Sequence, residues 1–123
     1  MADRSKVLGV AASLRKGSIN GHLLSALAER APDGLVVAVH DDLQSIPVFS
    51  EDLEDDGGPD GVHRLRTAVA RAEGLLIVTP EYNQAIPGVT KNLVDWMSRG
   101  EPKVLARKPV AIAGATPPSA AGD

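Results

Sequence analysis

No cysteine occurs in the chain. Disulfide frameworks, thiolate nucleophiles, zinc ribbons and iron-sulfur clusters are excluded together, and any redox chemistry needs an imported cofactor. Aromatic residues are nearly absent too: Phe49, Tyr82 and Trp96 are the whole supply, so each ring has a place to be explained. The longest apolar stretches, such as Leu35 to Val39 and Leu75 to Val78, fall far short of the roughly 20 residues that cross a bilayer. Lys and Arg form no basic run and the net charge is -3, so a nucleic-acid footprint is missing and small-molecule partners are favoured. The N-terminus, Met-Ala-Asp-Arg-Ser-Lys, has no cleavage pattern of a secretory signal, and a cytoplasmic location is the expectation.

What is present reads as one α/β domain over 1–123. Hydrophobic residues at 43% and charged residues at 24% are ordinary globular values. Val7 to Ala12 is a continuous apolar run suited to a strand buried on both faces of a parallel sheet. Ser18 or Asn20 can cap a helix over about 19–31, with Leu23, Leu24, Leu27 and Ala28 at helical spacing and Pro32-Asp33-Gly34 ending it. Leu35 to His40 predicts a second strand, and Asp41 to Gly61, acidic and rich in Gly and Pro, a surface loop. Residues 60–73 place Val62, Leu65, Val69 and Ala72 on one face and Arg64, Arg66 and Arg71 elsewhere, an amphipathic helix closed by Gly74. Leu75 to Thr79 is a third strand. A loop from Pro80 to Ile86 follows, then Pro87 opens a helix to about Arg99, and Pro109 to Ala113 is a fourth strand. Strands alternating with helices imply right-handed crossovers and a doubly wound parallel sheet.

Two segments carry chemistry. Residues 12–20, Ala-Ser-Leu-Arg-Lys-Gly-Ser-Ile-Asn, join the first strand to a helix N-terminus, where free backbone N–H groups and the dipole favour a phosphate. Ser13 and Ser18 add hydroxyls, Asn20 an amide donor, and Arg15 a planar cation suited to bidentate phosphate contact. The plainer reading of the same residues is capping by Ser18 and Asn20 with Arg15 in solvent. The loop lacks G-x-G-x-x-G and the P-loop pattern, but it follows a strand's carboxyl end, where open α/β sheets bind ligands. The second segment, residues 79–96, begins Thr-Pro-Glu-Tyr-Asn after the third strand and holds the single tyrosine in a turn, placed for a planar partner rather than a core.

Ser-Leu-Arg-Lys-Gly-Ser-Ile-Asn, Pro-Glu-Tyr-Asn and Ile-Pro-Gly-Val-Thr-Lys-Asn-Leu-Val-Asp-Trp, in that order, resemble the NADPH-dependent FMN reductase family, which includes bacterial chromate and quinone reductases. The resemblance covers residues 7–117. It implies a flavodoxin-like three-layer α/β/α fold with strand order 2-1-3-4 and the fifth strand missing, as though the domain were truncated at its C-terminus. It implies bound FMN, its phosphate held by Ser13, Arg15, Ser18 and Asn20, and its ring and ribityl chain met by Pro80, Glu81, Tyr82 and Asn83. It implies an NAD(P)H oxidoreductase that passes two electrons from NADPH or NADH through FMN to a quinone, flavin or metal oxyanion, with no catalytic side chain required, in a homo-dimer or homo-tetramer. A non-catalytic remnant or interaction module, and a flavodoxin-type electron carrier, are the other readings.

Lys91, Asn92, Asp95 and Trp96 match the family's helix and are expected in packing or an interface. His22, His40 and His63 have no metal-site spacing and read as surface or near-surface residues, and Glu51, Asp52, Glu54, Asp55 and Asp56 as a solvated face. Ala12 and Pro118 stand where the family usually has glycine. Without a fifth strand, the fourth is expected to be an exposed sheet edge and residues 1–123 alone to be marginal in stability.

Overall fold

A computed structural model describes residues 4–12, 19–79, 88–100 and 102–115. Four strands, β1 (Ser5–Ala11), β2 (Leu35–Val39), β3 (Gly74–Val78) and β4 (Val110–Ala113), form one sheet in the order β2-β1-β3-β4. All pairings are parallel, with Val7 beside both Val37 and Gly74, and Leu75 beside Val110. The helices are α1 (Ile19–Glu29), α2 (Glu51–Asp55), α3 (Asp60–Arg71) and α4 (Gly88–Met97), with a 3-10 turn at Leu43–Ser45. This is the strand order that the sequence implied.

Alternation along β1 divides the helices between the two faces. Leu8 and Val10 enter a core with Leu65 and Val69 of α3, Leu93 and Met97 of α4, and Leu75 and Ile77 of β3. Gly9 points the other way, under α1: a Cβ there would stand 2.7 Å from Leu24 Cδ1 and 3.0 Å from Val37 Cγ1. The missing side chain lets α1 sit low on the sheet. Layers of α1, sheet, and α3 with α4 follow. β4 bonds only β3 among the described residues, and Val110 and Ile112 are 49% and 61% exposed, so along this stretch it has the exposed edge foreseen for it.

The segment read as a loop between 41 and 61 is more ordered than its composition suggested. Besides the 3-10 turn it contains α2, whose N-cap Ser50 accepts from the Leu53 N–H at 3.4 Å. Glu51, Asp52 and Glu54 occupy its first turn, where carboxylates suit the helix dipole. Five residues are too few to display a 3.6 period, so periodicity could not reveal it. Gly74 also differs from expectation. It opens β3, whereas α3 ends at Arg71 and is closed from a distance: Lys108 Nζ donates to the carbonyls of Val69, at 2.7 Å, and Ala72. A cation on orphan C-terminal carbonyls complements the dipole. Lys108→Met is expected to lower the unfolding free energy by about 1–2 kcal/mol in urea titrations, and an unchanged midpoint would refute this role.

Arg66 does the same for α4. Read from sequence as an outward residue of α3, it donates instead to the carbonyls of Met97, at 3.3 Å, Arg99, and Pro102, at 2.8 Å. α3 and α4 are thereby joined at the end of the sheet away from the carboxyl edge.

Candidate functional site at the carboxyl edge

Beyond the last residues of the strands the ladder continues by single bonds. The Ala12 N–H donates to Val78 at 2.7 Å and the Thr79 N–H to Ala113 at 2.8 Å. The exits of β1, β3 and β4 therefore leave side by side. Gly114 passes so near the Thr79 carbonyl that a Cβ would overlap its oxygen, an approach only glycine permits without displacement.

Two clasps fix the helices that start at this edge. Asn20, 2% exposed in the first turn of α1, donates from Nδ2 to the Ala115 carbonyl at 3.1 Å and accepts the Ala115 N–H on Oδ1 at 2.9 Å. The hydroxyls of Thr79 and Thr90 meet at 2.7 Å, both buried, so the chain leaving β3 is pinned to α4 across residues 80–87. Sequence reading missed both threonines as a pair. The available signal was a hydroxyl directly after a buried apolar strand and another inside the following helix.

Of the residues singled out from sequence, Asn20 lies at this edge, with its amide oxygen and its Nδ2 both bonded to Ala115. Ser13, Arg15, Ser18, Pro80, Glu81, Tyr82 and Asn83 lie outside the described residues. Ala12 is 1% exposed and belongs to the core, so its methyl is accommodated by packing. His40, just after β2, is half-buried; its N–H donates to Gly9 at 2.9 Å, and its ring Nε2 is buried without a partner among the described residues.

A strap beside this edge runs from Ile46 to Ser50 and is held by α4. Asn92 accepts the Phe49 N–H on Oδ1 at 2.6 Å and donates from Nδ2 to the Pro47 carbonyl at 2.9 Å. Trp96, one helical turn on, donates Nε1 to the same carbonyl at 2.8 Å and meets the Phe49 ring edge-on, centroids 4.8 Å apart. Arg99 lies over the other ring region of Phe49, 4.9 Å from its centroid, and grips Glu54 with two bonds of 2.7 and 2.9 Å. Those bonds hold the Glu54 carboxyl below its ordinary pKa. Asp42 is likewise lowered, first by the Ser45 hydroxyl and then by Arg64. For a depressed carboxylate the stabilisation is present above its unfolded pKa and is lost as pH falls through the folded value. Lys91 and Asp95 form an exposed pair at 2.8 Å, so the four residues of this helix motif serve packing and surface pairing within the chain.

The donors at the carboxyl edge suit a phosphate-bearing cofactor. α1 begins there with no acidic residue in its first turn, so that turn sets no carboxylate against an anion drawn to the positive end of the helix dipole. The side-chain-free approach at Gly114 leaves backbone bare beside it. No helix among the described residues is long and apolar enough to cross a membrane.

A parallel 2-1-3-4 sheet with helices on both faces and a helix N-terminus at its carboxyl edge defines a flavodoxin-like α/β protein. Within that class the model of the NADPH-dependent FMN reductase family matches residues 5–123, and the chain belongs to this family. It is 40% identical over 116 residues to an NAD(P)H-dependent FMN reductase of Pseudomonas aeruginosa, covering 94% of this chain and 62% of that protein. It is 39% identical over 113 residues to a quinone reductase of Escherichia coli K12, covering 91% and 60%. The solved structure of FerB, a flavoenzyme NAD(P)H:(acceptor) oxidoreductase from Paracoccus denitrificans, superposes with a TM-score of 0.81 at 32% identity, covering 91% of this chain and 61% of that one. The chain thus spans about three fifths of the length of these relatives.

Proposed function

We propose that the protein is an FMN-dependent NAD(P)H oxidoreductase that delivers two electrons to a quinone, a flavin or a similar small acceptor. The observation that carries this reading is the convergence of the exits of β1, β3 and β4 on the N-terminus of α1, free of carboxylates and clasped by Asn20. The names of the relatives, FMN reductase and quinone reductase, support it. FMN, when bound, supplies the two-electron chemistry between nicotinamide and acceptor.

The residues of this chain bind and orient. Ser13, Arg15, Ser18 and Asn20 would hold the phosphate at the start of α1, and Pro80, Glu81, Tyr82 and Asn83 would meet the ring and ribityl chain. Backbone N–H groups around 82–85 would tune the ring by hydrogen bonding. The Thr79–Thr90 contact pins the exit of β3 to α4 on either side of residues 80–87. Assembly as a homo-dimer or homo-tetramer in the cytoplasm belongs to this reading and rests on the family resemblance.

Titration of the purified chain with FMN, followed by NADPH in the same cuvette, tests the proposal. Saturable binding with bleaching of the flavin band is expected. Folded protein that binds no FMN would make it an interaction module, and binding without bleaching by either nicotinamide would make it an electron carrier. Arg15→Ala is expected to weaken FMN binding by about 1.5–3 kcal/mol, the range of a charged hydrogen bond; an unchanged affinity would place the phosphate elsewhere.

A further inference from the structure

An open hollow of about 370 Å³ lies along the flank of α3, across the sheet from α1. His63, Thr67 and Arg71 follow one another at four-residue spacing on α3, with Arg64 and Ala68 beside them, and Lys6 reaches in from β1. From His63 to Arg71 the helix advances by about 12 Å. Alternation brings Lys6 here, because it shares the sheet face of Leu8 and Val10, which pack against α3. Ala68 makes the hollow: its short side chain lies against the core, and the longer side chains stand around it.

The charge around it is of one sign. Among the described residues no carboxylate lines the hollow, although the whole chain carries a net charge of -3. Arg64 is paired with Asp42, 2.6 Å away, and Nε2 of His63 donates to the Gly57 carbonyl at 2.6 Å. Lys6 and Arg71 enter no ion pair among the described residues. Arg71 stands in the last turn of α3, where a cation ordinarily complements the helix dipole. Lys108 already occupies the carbonyls of Val69 and Ala72 at that end, so Arg71 is released from this duty and faces the hollow. Two unmatched cations, one on a strand and one on a helix, thus meet beside the Thr67 hydroxyl, one helical turn from Arg71.

We propose that this hollow binds a short run of linked phosphates, as free oligophosphate or as the phosphate end of a nucleotide. Such a ligand presents acceptor oxygens on every side and carries several negative charges, and the lining offers it donors and positive charge. The guanidinium of Arg71 suits bidentate contact with one phosphate, and the ammonium of Lys6 meets another as a point charge. The length of the hollow along α3 fits more than one anionic group. Nucleic acid fits it less well, because a phosphate backbone is held by cations spread along its path, and here they are confined to one hollow on an acidic chain. α1, at whose start the cofactor phosphate was placed, packs on the other face of the sheet, so the two sites are separate and neither rests on the other.

The test titrates inorganic triphosphate into the purified, isotope-labelled chain at constant ionic strength and follows its backbone amide signals. Saturable shifts of the Thr67, Ala68 and Arg71 amides are expected, with FMN and without it. Lys6→Gln combined with Arg71→Gln, both at exposed positions, is expected to weaken the affinity by about tenfold or more, the loss of two charge-assisted contacts, at an unchanged Tm. Adenosine triphosphate in a second arm separates the sources: equal affinity assigns the hollow to the phosphates themselves, and tighter binding assigns it to a nucleotide. Shifts confined to residues around Asn20 and Ala115, or an affinity that the double variant leaves intact, would overturn the proposal. So would sulfate at matched ionic strength that reproduces the same shifts at the same midpoint, which would make the hollow a seat for an adventitious ion only. Duplex DNA that displaces triphosphate from the same amides and binds more tightly would replace the small ligand by nucleic acid and overturn it as well.

Discussion

Trp96→Ala is expected to lower the unfolding free energy by about 3–5 kcal/mol, the usual cost of truncating a buried tryptophan. Trp96 is 3% exposed, packs edge-on against Phe49 and donates to Pro47. Truncation leaves a void between α4 and the strap that backbone held by Asn92 cannot easily fill. The Pro47 carbonyl itself is not orphaned, because Asn92 Nδ2 still reaches it at 2.9 Å. The loss is therefore of packing and ring contact, and Trp96→Phe should recover a large part of it. Calorimetry should register a fall in Tm on the order of 10–20 °C for a domain of this length; a fall of only a few degrees would mean that the strap collapses onto the helix.

Asn20→Leu is expected to cost about 2–4 kcal/mol. The leucine is close in volume, but the N–H and C=O of Ala115 both lose their partner, at about 1–3 kcal/mol for each unsatisfied group. Ala115 is half-buried, so water recovers part of that sum. Asn20→Asp separates the two bonds: a carboxylate still accepts the Ala115 N–H but turns an oxygen toward the Ala115 carbonyl. On the proposed function, both variants also reduce FMN retention, Asn20→Asp the more because it sets a negative charge at a phosphate site. Denaturant titration of the variants without FMN isolates the structural part. Wild-type stability in Asn20→Leu would show the clasp to be dispensable.

The strands and long helices were legible because each announces itself locally. Val7 to Ala12 and Leu75 to Val78 are apolar runs of strand length, and Val62, Leu65 and Val69 repeat at helical spacing, so only boundaries moved by a residue or two. The strap was not legible. Nothing near Pro47 and Phe49 shows that their backbone groups are taken by Asn92, 45 and 43 residues further on. Arg66 misled for the same reason, since an outward charge by helical phase found its acceptors on the end of another helix. At the site, Asn20 was recognisable as a donor beside a helix start, but its partner lies 95 residues away. Ser13, Arg15, Ser18 and the turn 80–83 were chosen by motif and fall outside the described residues.

That separation also sets an order of events. Contacts between neighbours in sequence close early in folding, and those between distant positions close late. β1 and β2 pair across one helix, whereas the amide of Asn20 has nothing to grip until β4 has joined the sheet and delivered Ala115. On a ribosome the start of α1 would thus be made among the first turns of helix and fastened only after β4, so on the proposed function the phosphate end of the site is completed late.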